Sequence, residues 1–336
     1  MSEEYALLQQ SGRRPSDALS DVLRLIQARS VLSRTIVAGA PWAIHFPGPS
    51  LIKFSALAKG SCWIRLDGRR AKPVRLQAGD LFMVSGTTGF VMGSDLNAPL
   101  ADPNVVFAGG SRVIRITRGD DCVLVGGAVA VEPSTEALLK YALPPLAHVA
   151  AASPHGAALA WIVQQLLYEQ RTPRPGATAV QTQLAQLMFV HILRAHLESP
   201  DALPTGWLRA MSDARIGRAL ERMHGDPGRD WQLAALAKVA GMSRTTFALR
   251  FRALAGAAPL AYLTAWRMRL AQERLRDEDA SVAELAGSLG YASETAFSTA
   301  FKRVTGAPPR SYRALARRQA SGEVASIAAR PGARPL

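Results

Sequence analysis

Leu233-Ala234-Ala235-Leu236-Ala237-Lys238-Val239-Ala240-Gly241-Met242-Ser243-Arg244-Thr245-Thr246-Phe247-Ala248-Leu249-Arg250-Phe251-Arg252-Ala253-Leu254-Ala255-Gly256 reads as a short helix, a glycine turn and a second helix. Ser243 stands where the second helix needs an N-cap, and Gly256 where a left-handed C-terminal cap prefers glycine. The same order returns in Val282–Gly306, with Leu285-Ala286, Gly290-Tyr291, Ser293, Phe297, Phe301 and Gly306 at the matching places. The offset is 49 residues up to the turn glycine and 50 after it, so the second turn is one residue longer. A helix-turn-helix can lay its second helix in a DNA major groove.

Helical phase separates the faces of these second helices. At ~100° per residue Phe247, Phe251 and Leu254 fall together, and Thr245, Leu249 and Arg252 lie opposite, flanked by Thr246 and Ala248. In the second copy Phe297, Phe301 and Val304 are expected inside. Thr295, Thr299 and Lys302 are expected outside, flanked by Glu294 and Ser298. Short polar side chains beside Arg244, Arg252, Lys302 and Arg303 suit base edges and phosphates, with Ser243 and Ser293 at the helix starts. Between the copies Pro259–Arg276 is expected to be one uninterrupted helix with Pro in its first turn. Its length, ~27 Å, would hold the two recognition helices apart on the scale of successive major grooves.

Charge follows this division. Of the 336 residues, 205–336 carry 21 Lys and Arg against 11 Asp and Glu, a balance of +10 within the chain's +14. A basic module of this kind expects a polyanion, here double-stranded DNA. At roughly 100–200 residues per domain, the length suggests two domains. Two cysteines, Cys62 and Cys122, exclude a disulfide framework and suit a reducing cytoplasm as buried small hydrophobes. The polar, acidic start is not a signal peptide, and the longest apolar run, Val123–Val131, is far below the ~18 residues of a spanning helix. A cytoplasmic protein with no membrane partner is expected.

Upstream, residues 1–16 read as a loose arm and Asp17–Ile26 as a short amphipathic helix with Leu19, Val22, Leu23 and Ile26 on one face. From Ser33 to about Ala130, short strands with a turn every 8–12 residues argue for an antiparallel β-barrel or sandwich. Pro133–Leu146 begins a helical region, followed by helices over His155–Gln170 and Ala177–Leu197. The stripe Val180, Leu184, Leu187, Met188, Ile192 and Leu197 fits either packing on its own β-domain or a subunit interface. A linker is expected over 201–207 and a disordered tail over 319–336. The fold expected is α+β: a cupin-like antiparallel β-barrel domain over 17–200 and an all-α double helix-turn-helix domain over 208–318.

Residues 207–318 resemble the AraC/XylS family of bacterial transcription regulators. The likeness rests on Leu236-Ala237, Ser243, Phe247, Phe251, Gly256, Tyr262-Leu263, Trp266-Arg267, Ala286, Gly290-Tyr291, Phe297, Phe301-Lys302, Gly306, Pro309 and Tyr312-Arg313. Leu249 and Thr299 stand where many members carry Arg or another long polar residue, and Leu249 suits a thymine methyl. The region 17–200 resembles the cupin-type sensor domain of one branch of that family, through Gly60–Gly68 and Pro73–Leu81. The resemblance implies a sequence-specific regulator, an activator with RNA polymerase as partner, that senses a small molecule and forms a homodimer. Metal-bearing cupins place a His-x-His on the strand before that turn and a further His after it. Here Leu51–Leu57 and Val84–Phe90 hold no His, so no metal, cofactor or catalytic residue is expected. Trp42, His45, Phe54 and Trp63 are candidate lining residues of an effector cavity, each also readable as core packing. Two rivals stay open: a cupin enzyme fused to a DNA-binding tail, and a DNA binder without sequence preference.

Overall fold

The computed structural model describes residues 17–25, 29–48, 52–68, 72–86, 88–108, 111–130, 142–172, 174–198, 203–277 and 280–328. Two compact units result: residues 26–212 form one, and Asp213 onward, together with the N-terminal helix, the other. The loose arm expected over 1–16, and the helical start expected over 133–141, lie outside the described residues.

The first unit is a β-sandwich. One sheet has six strands in the order β11-β6-β3-β10-β1-β9, and the other five in the order β5-β4-β7-β2-β8. In chain order these are β1 (Arg29–Ala38), β2 (Ala43–Phe46), β3 (Ile52–Lys59), β4 (Ser61–Leu66), β5 (Val74–Gln77), β6 (Leu81–Val84), β7 (Phe90–Gly93), β8 (Leu100–Ala101), β9 (Val113–Arg115), β10 (Cys122–Ala130) and β11 (Leu146–Val149). Pairing is antiparallel except at two edge strands, where β9 runs parallel to β1 and β8 parallel to β2. The expected antiparallel domain thus takes the form of two separate sheets rather than a closed barrel. Leu146, expected at the end of a helix, opens strand β11 instead, because it pairs with Val84 of β6.

Alternation builds the interior. On β2 Ile44 and Phe46 point inward, on β4 Cys62 and Ile64, on β7 Phe90 and Met92, and on β10 Cys122 and Leu124. The turn at Gly60 is forced: its φ is +84°, and a side chain there would strike the Asp121 carbonyl. Asp80 pins the next turn, accepting hydrogen bonds from the Gln77 and Ala151 backbone N–H groups at 3.0 and 2.9 Å and meeting His148 Nε2 at 3.0 Å. A short helix α2 (Pro103–Val106) connects β8 to β9. The helices α3 (Gly156–Arg171) and α4 (Ala177–Leu197) pack against each other and cover the outer face of the six-stranded sheet. Leu184, Met188 and Ile192 of the expected stripe are buried there, whereas Val180 and Leu187 remain exposed. A last helix α5 (Trp207–Ser212) packs on α4, so 207–212 groups with the sandwich.

The second unit is all-α: α1 (Ala18–Leu25), α6 (Ala214–Gly225), α7 (Leu233–Val239), α8 (Arg244–Ala255), α9 (Pro259–Asp277), α10 (Val282–Ser288), α11 (Glu294–Thr305) and α12 (Pro309–Ala328). The backbone of α12 continues as helix through 319–328, where a disordered tail was expected. Helix α1 starts at Asp17, whose carboxylate accepts the Ser20 N–H at 2.8 Å. Its Ala18, Leu19 and Val22 are buried against α6 and α9. Burying one Leu or Val side chain contributes about 1.5–3 kcal/mol. The helix predicted from Leu19 and Val22 therefore exists, but its apolar face belongs to the helical unit rather than to the β-domain.

Candidate nucleic-acid interface

Each recognition helix is fixed at both ends. Ser243 accepts the Thr246 N–H at 3.2 Å, and Ser293 accepts the Ala296 N–H at 3.1 Å. Gly256 and Gly306 close the helices in the left-handed conformation, at φ 76° and 82°. The turns before them bend at Gly241 and Gly290, and a side chain on Gly290 would strike the Gly228 carbonyl.

The inner faces are matched aromatic sets. Phe247 and Phe251 lie 5.6 Å apart, and Phe251 meets Tyr262 edge-on at 5.6 Å. In the second copy Phe297 and Phe301 lie 5.7 Å apart, and Phe301 meets Tyr312 edge-on at 5.5 Å. The repeat therefore extends beyond the two helix-turn-helix motifs. Pro259-x-x-Tyr262 and Pro309-x-x-Tyr312 also stand 50 residues apart, and both tyrosines close the cores. That spacing is legible in the sequence itself. One inward expectation is corrected: Val304, in the last turn of α11, is 48 % exposed.

The outward expectation can be followed residue by residue. Ser243, Arg244, Thr245, Thr246, Leu249 and Arg252 are exposed on α8 and its cap, with Ala248 half-buried. Ser293, Thr295, Thr299, Lys302 and Arg303 are exposed on α11 and its cap, with Glu294 and Ser298 half-buried. Leu249 is 67 % exposed, unusual for a leucine with no neighbour to cover it. None of Arg244, Arg252, Lys302 and Arg303 forms an ion pair among the described residues. Glu294 is held by Arg310 at 3.4 Å, which draws its carboxylate toward α12.

Arg250 was not singled out by helical phase. Its guanidinium grips one oxygen of Asp213 at 2.9 and 2.5 Å, and Asp213 also caps α6 by accepting the Arg215 and Ile216 N–H groups. Burial of the Asp213 carboxyl acts to raise its pKa. The Ile216 N–H, the Arg250 guanidinium and the Arg215 N–H outweigh it and hold the group below the usual carboxylate range. Arg250 is therefore a positioning residue for α8.

The two motifs are joined by α9, whose 19 residues span about 28 Å. Arg267, on its middle turn, donates to the Pro227 and Arg229 carbonyls at 2.7 and 2.8 Å and lies 5.8 Å from the Tyr291 ring. One side chain thus ties the loop after α6 to the turn of the second motif. Near the start of α9, His224 stacks on Trp266 at 3.8 Å and meets the Tyr262 hydroxyl at 2.9 Å. Burial pushes its pKa down to about 3, against a weaker opposing interaction with the Ala18 backbone carbonyl.

In the sandwich, the four candidate effector-lining residues do not converge. Trp42 is buried and lines a cavity of about 480 Å³ with Arg75 and Cys122. His45 points to the outer face of the five-stranded sheet and meets Asp67 at 3.0 Å. Trp63 is on that same outer face, 37 % exposed, under the Arg75 guanidinium. Phe54 is buried on the helix-covered face of the other sheet. The period of two separates these residues: His45 and Trp63 have the opposite parity to the inward-pointing Phe46 and Ile64. Among the described residues no three His, Cys, Asp or Glu side chains gather as a metal site, and no helix is long and apolar enough to cross a membrane.

Comparison with known proteins agrees with this anatomy. A cupin family model matches residues 17–198, and a helix-turn-helix domain model matches 236–315. AraC-like transcription regulators of Streptomyces lividans and Streptomyces antibioticus are each 41 % identical over 299 residues, covering 88 % of this chain and 98 % of theirs. The regulator AlkR of Acinetobacter baylyi is 28 % identical over 88 % of this chain and 99 % of its own. Two capped helix-turn-helix motifs on one connecting helix, preceded by a cupin domain and aligned over 88 % of the chain with these relatives, place the chain in the AraC family of DNA-binding transcription regulators.

Proposed function

We propose that this regulator inserts α8 and α11 into successive major grooves of one DNA face, and that it activates transcription when the cupin domain holds a small molecule. The observation that carries the reading is the pair of equivalent, independently capped recognition helices, each with an exposed Thr-rich face and uncompensated cations. The short side chains Thr245, Leu249, Thr295 and Thr299 suit base edges, and Arg244, Arg252, Lys302 and Arg303 suit phosphates. RNA polymerase is the partner that family membership suggests. Transcriptional control rather than enzymatic turnover is supported by the regulator names of the relatives.

The same reading includes a homodimer. Helices α3 and α4 leave Trp161 and Tyr168, and Val180 and Leu187, exposed at seven-residue spacing, a repeat that returns to one face after two turns. A second copy is the occupant that a two-domain regulator offers.

Selection of bound sequences from randomised duplex DNA tests the proposal. A bipartite motif with half-sites about 10 base pairs apart is expected. Failure to enrich any sequence at physiological salt would overturn it in favour of binding without sequence preference.

A further inference from the structure

The sandwich contains a cavity of about 390 Å³ between its sheets, with walls that are mostly apolar and a rim that is cationic. Cross-strand register explains why. On the inner face of the six-stranded sheet, Ile36, Leu124 and Leu57 form the deepest row. The next row is Arg34, Gly126, Ser55 and Phe82, taken in turn from β1, β10, β3 and β6. The row after it brings Ala128 and Lys53. Leu57, Leu124 and Phe82 are buried, whereas Ser55, Lys53 and Arg34 are half-buried. From the facing sheet Phe46 and Phe90 stack at 4.9 Å, with Met92 beyond them.

Two features single out an anionic occupant. Lys53 and Arg34 both line the cavity, and no Asp or Glu does. Lys53 makes no hydrogen bond or ion pair among the described residues; its ammonium lies 5.5 Å from the Phe46 ring. Arg34 spends one N–H on the Phe107 carbonyl at 2.7 Å and lies 5.7 Å from that ring, leaving other donors for a ligand. Half-burial depresses the Lys53 pKa, the mark of a cation losing solvation without a counter-charge. Between the two cations Gly126 carries no side chain, and one added there would come within 2.5 Å of Ser55 Oγ. Gly126 thus leaves bare backbone on the cavity wall, with Arg34 on one neighbouring strand and Ser55 on the other.

We propose that this cavity binds a hydrophobic monocarboxylate, its carboxylate held by Lys53 and Arg34 over Gly126 and its aryl or alkyl body against Phe46, Phe90, Met92 and Leu124. The apolar floor disfavours sugars and dicarboxylates, whose further polar groups would be buried without partners. The volume is at the small end for organic ligands. The inference rests on the proposed sensing role and names its ligand class.

The test is calorimetric titration of the full-length protein with 2-naphthoate and with octanoate, beside the neutral 2-naphthamide. Saturable 1:1 binding of at least one carboxylate is expected, with the amide about tenfold weaker or worse. Lys53→Met should lower carboxylate affinity about tenfold while leaving amide binding within about twofold, and Lys53→Arg should restore most of it. Thermal melting confirms that each variant folds. Equal affinity for naphthoate and naphthamide, native carboxylate affinity in Lys53→Met, or no binding of either carboxylate would overturn the proposal. DNA binding by the same preparation without ligand separates the two readings. Intact DNA recognition with no carboxylate binding sinks this inference alone. Charge-selective carboxylate binding that leaves DNA affinity unmoved upholds the site and removes its sensing role.

Discussion

Arg250 and Arg252 leave α8 two residues apart, and among the described residues only Arg250 meets a carboxylate. Burial and caps, not residue type, decide which arginine is free for DNA. Arg252→Ala should weaken binding to specific and non-specific DNA alike and reduce the salt slope by about one unit. Arg250→Ala should leave the slope unchanged and cost about 1 kcal/mol of folding stability, since the pair is half-exposed. Fluorescence anisotropy across a salt series, with a denaturation curve for each variant, separates the two. A further consequence belongs to His224. Its folded pKa is about 3 against an ordinary 6.5, so the folded unit keeps the ring neutral while the unfolded chain protonates it. Its contribution to stability is complete above about pH 6.5 and falls as pH drops toward 3, by up to about 1.4 kcal/mol per pH unit. Urea denaturation at pH 7.5 and pH 5 should show a loss that His224→Phe diminishes; an equal loss in the variant would contradict the assignment. Neither Arg250–Asp213 nor His224–Trp266 was legible in the sequence, because each partner lies 37 or more residues away.

The recognition elements themselves were legible. Local signals specify them: a serine at each N-cap, a glycine at each C-cap, phenylalanines four residues apart, and a proline at the start of α9. The strands were legible as a class through their turns, but which residues share a cavity was not. Phe54, Trp63 and His45 read as plausible lining until register placed them on outward or helix-covered faces. Helix α1 shows a similar gap. Its amphipathic pattern was plain, but an apolar stripe does not say which surface it covers, and α6 and α9 cover it. Leu19→Ala should therefore destabilise the helical unit, by about 2–3 kcal/mol, while leaving the sandwich intact. Hydrogen exchange resolves the two: faster exchange in α6 and α9 with unchanged protection in β3 and β10 is expected. Faster exchange confined to the strands would contradict the packing.

At the scale of the whole molecule, a cupin domain and a DNA-reading domain occupy one chain, and residues 205–336 carry +10 of its +14 charge. Charge gives affinity for any DNA; the duplicated motif gives the capacity to choose a site. The internal repeat, with its caps, cores and closing tyrosines, provides two DNA contacts rather than one. Hydroxyl-radical footprinting of the full-length protein on a selected site, at about 0.15 M salt, tests it most directly. Two protected patches about 10 base pairs apart are expected for each bound copy, with the double change Thr299→Ala and Lys302→Ala erasing one and sparing the other. A single patch per copy, or protection spread evenly along the fragment, would contradict insertion into two grooves.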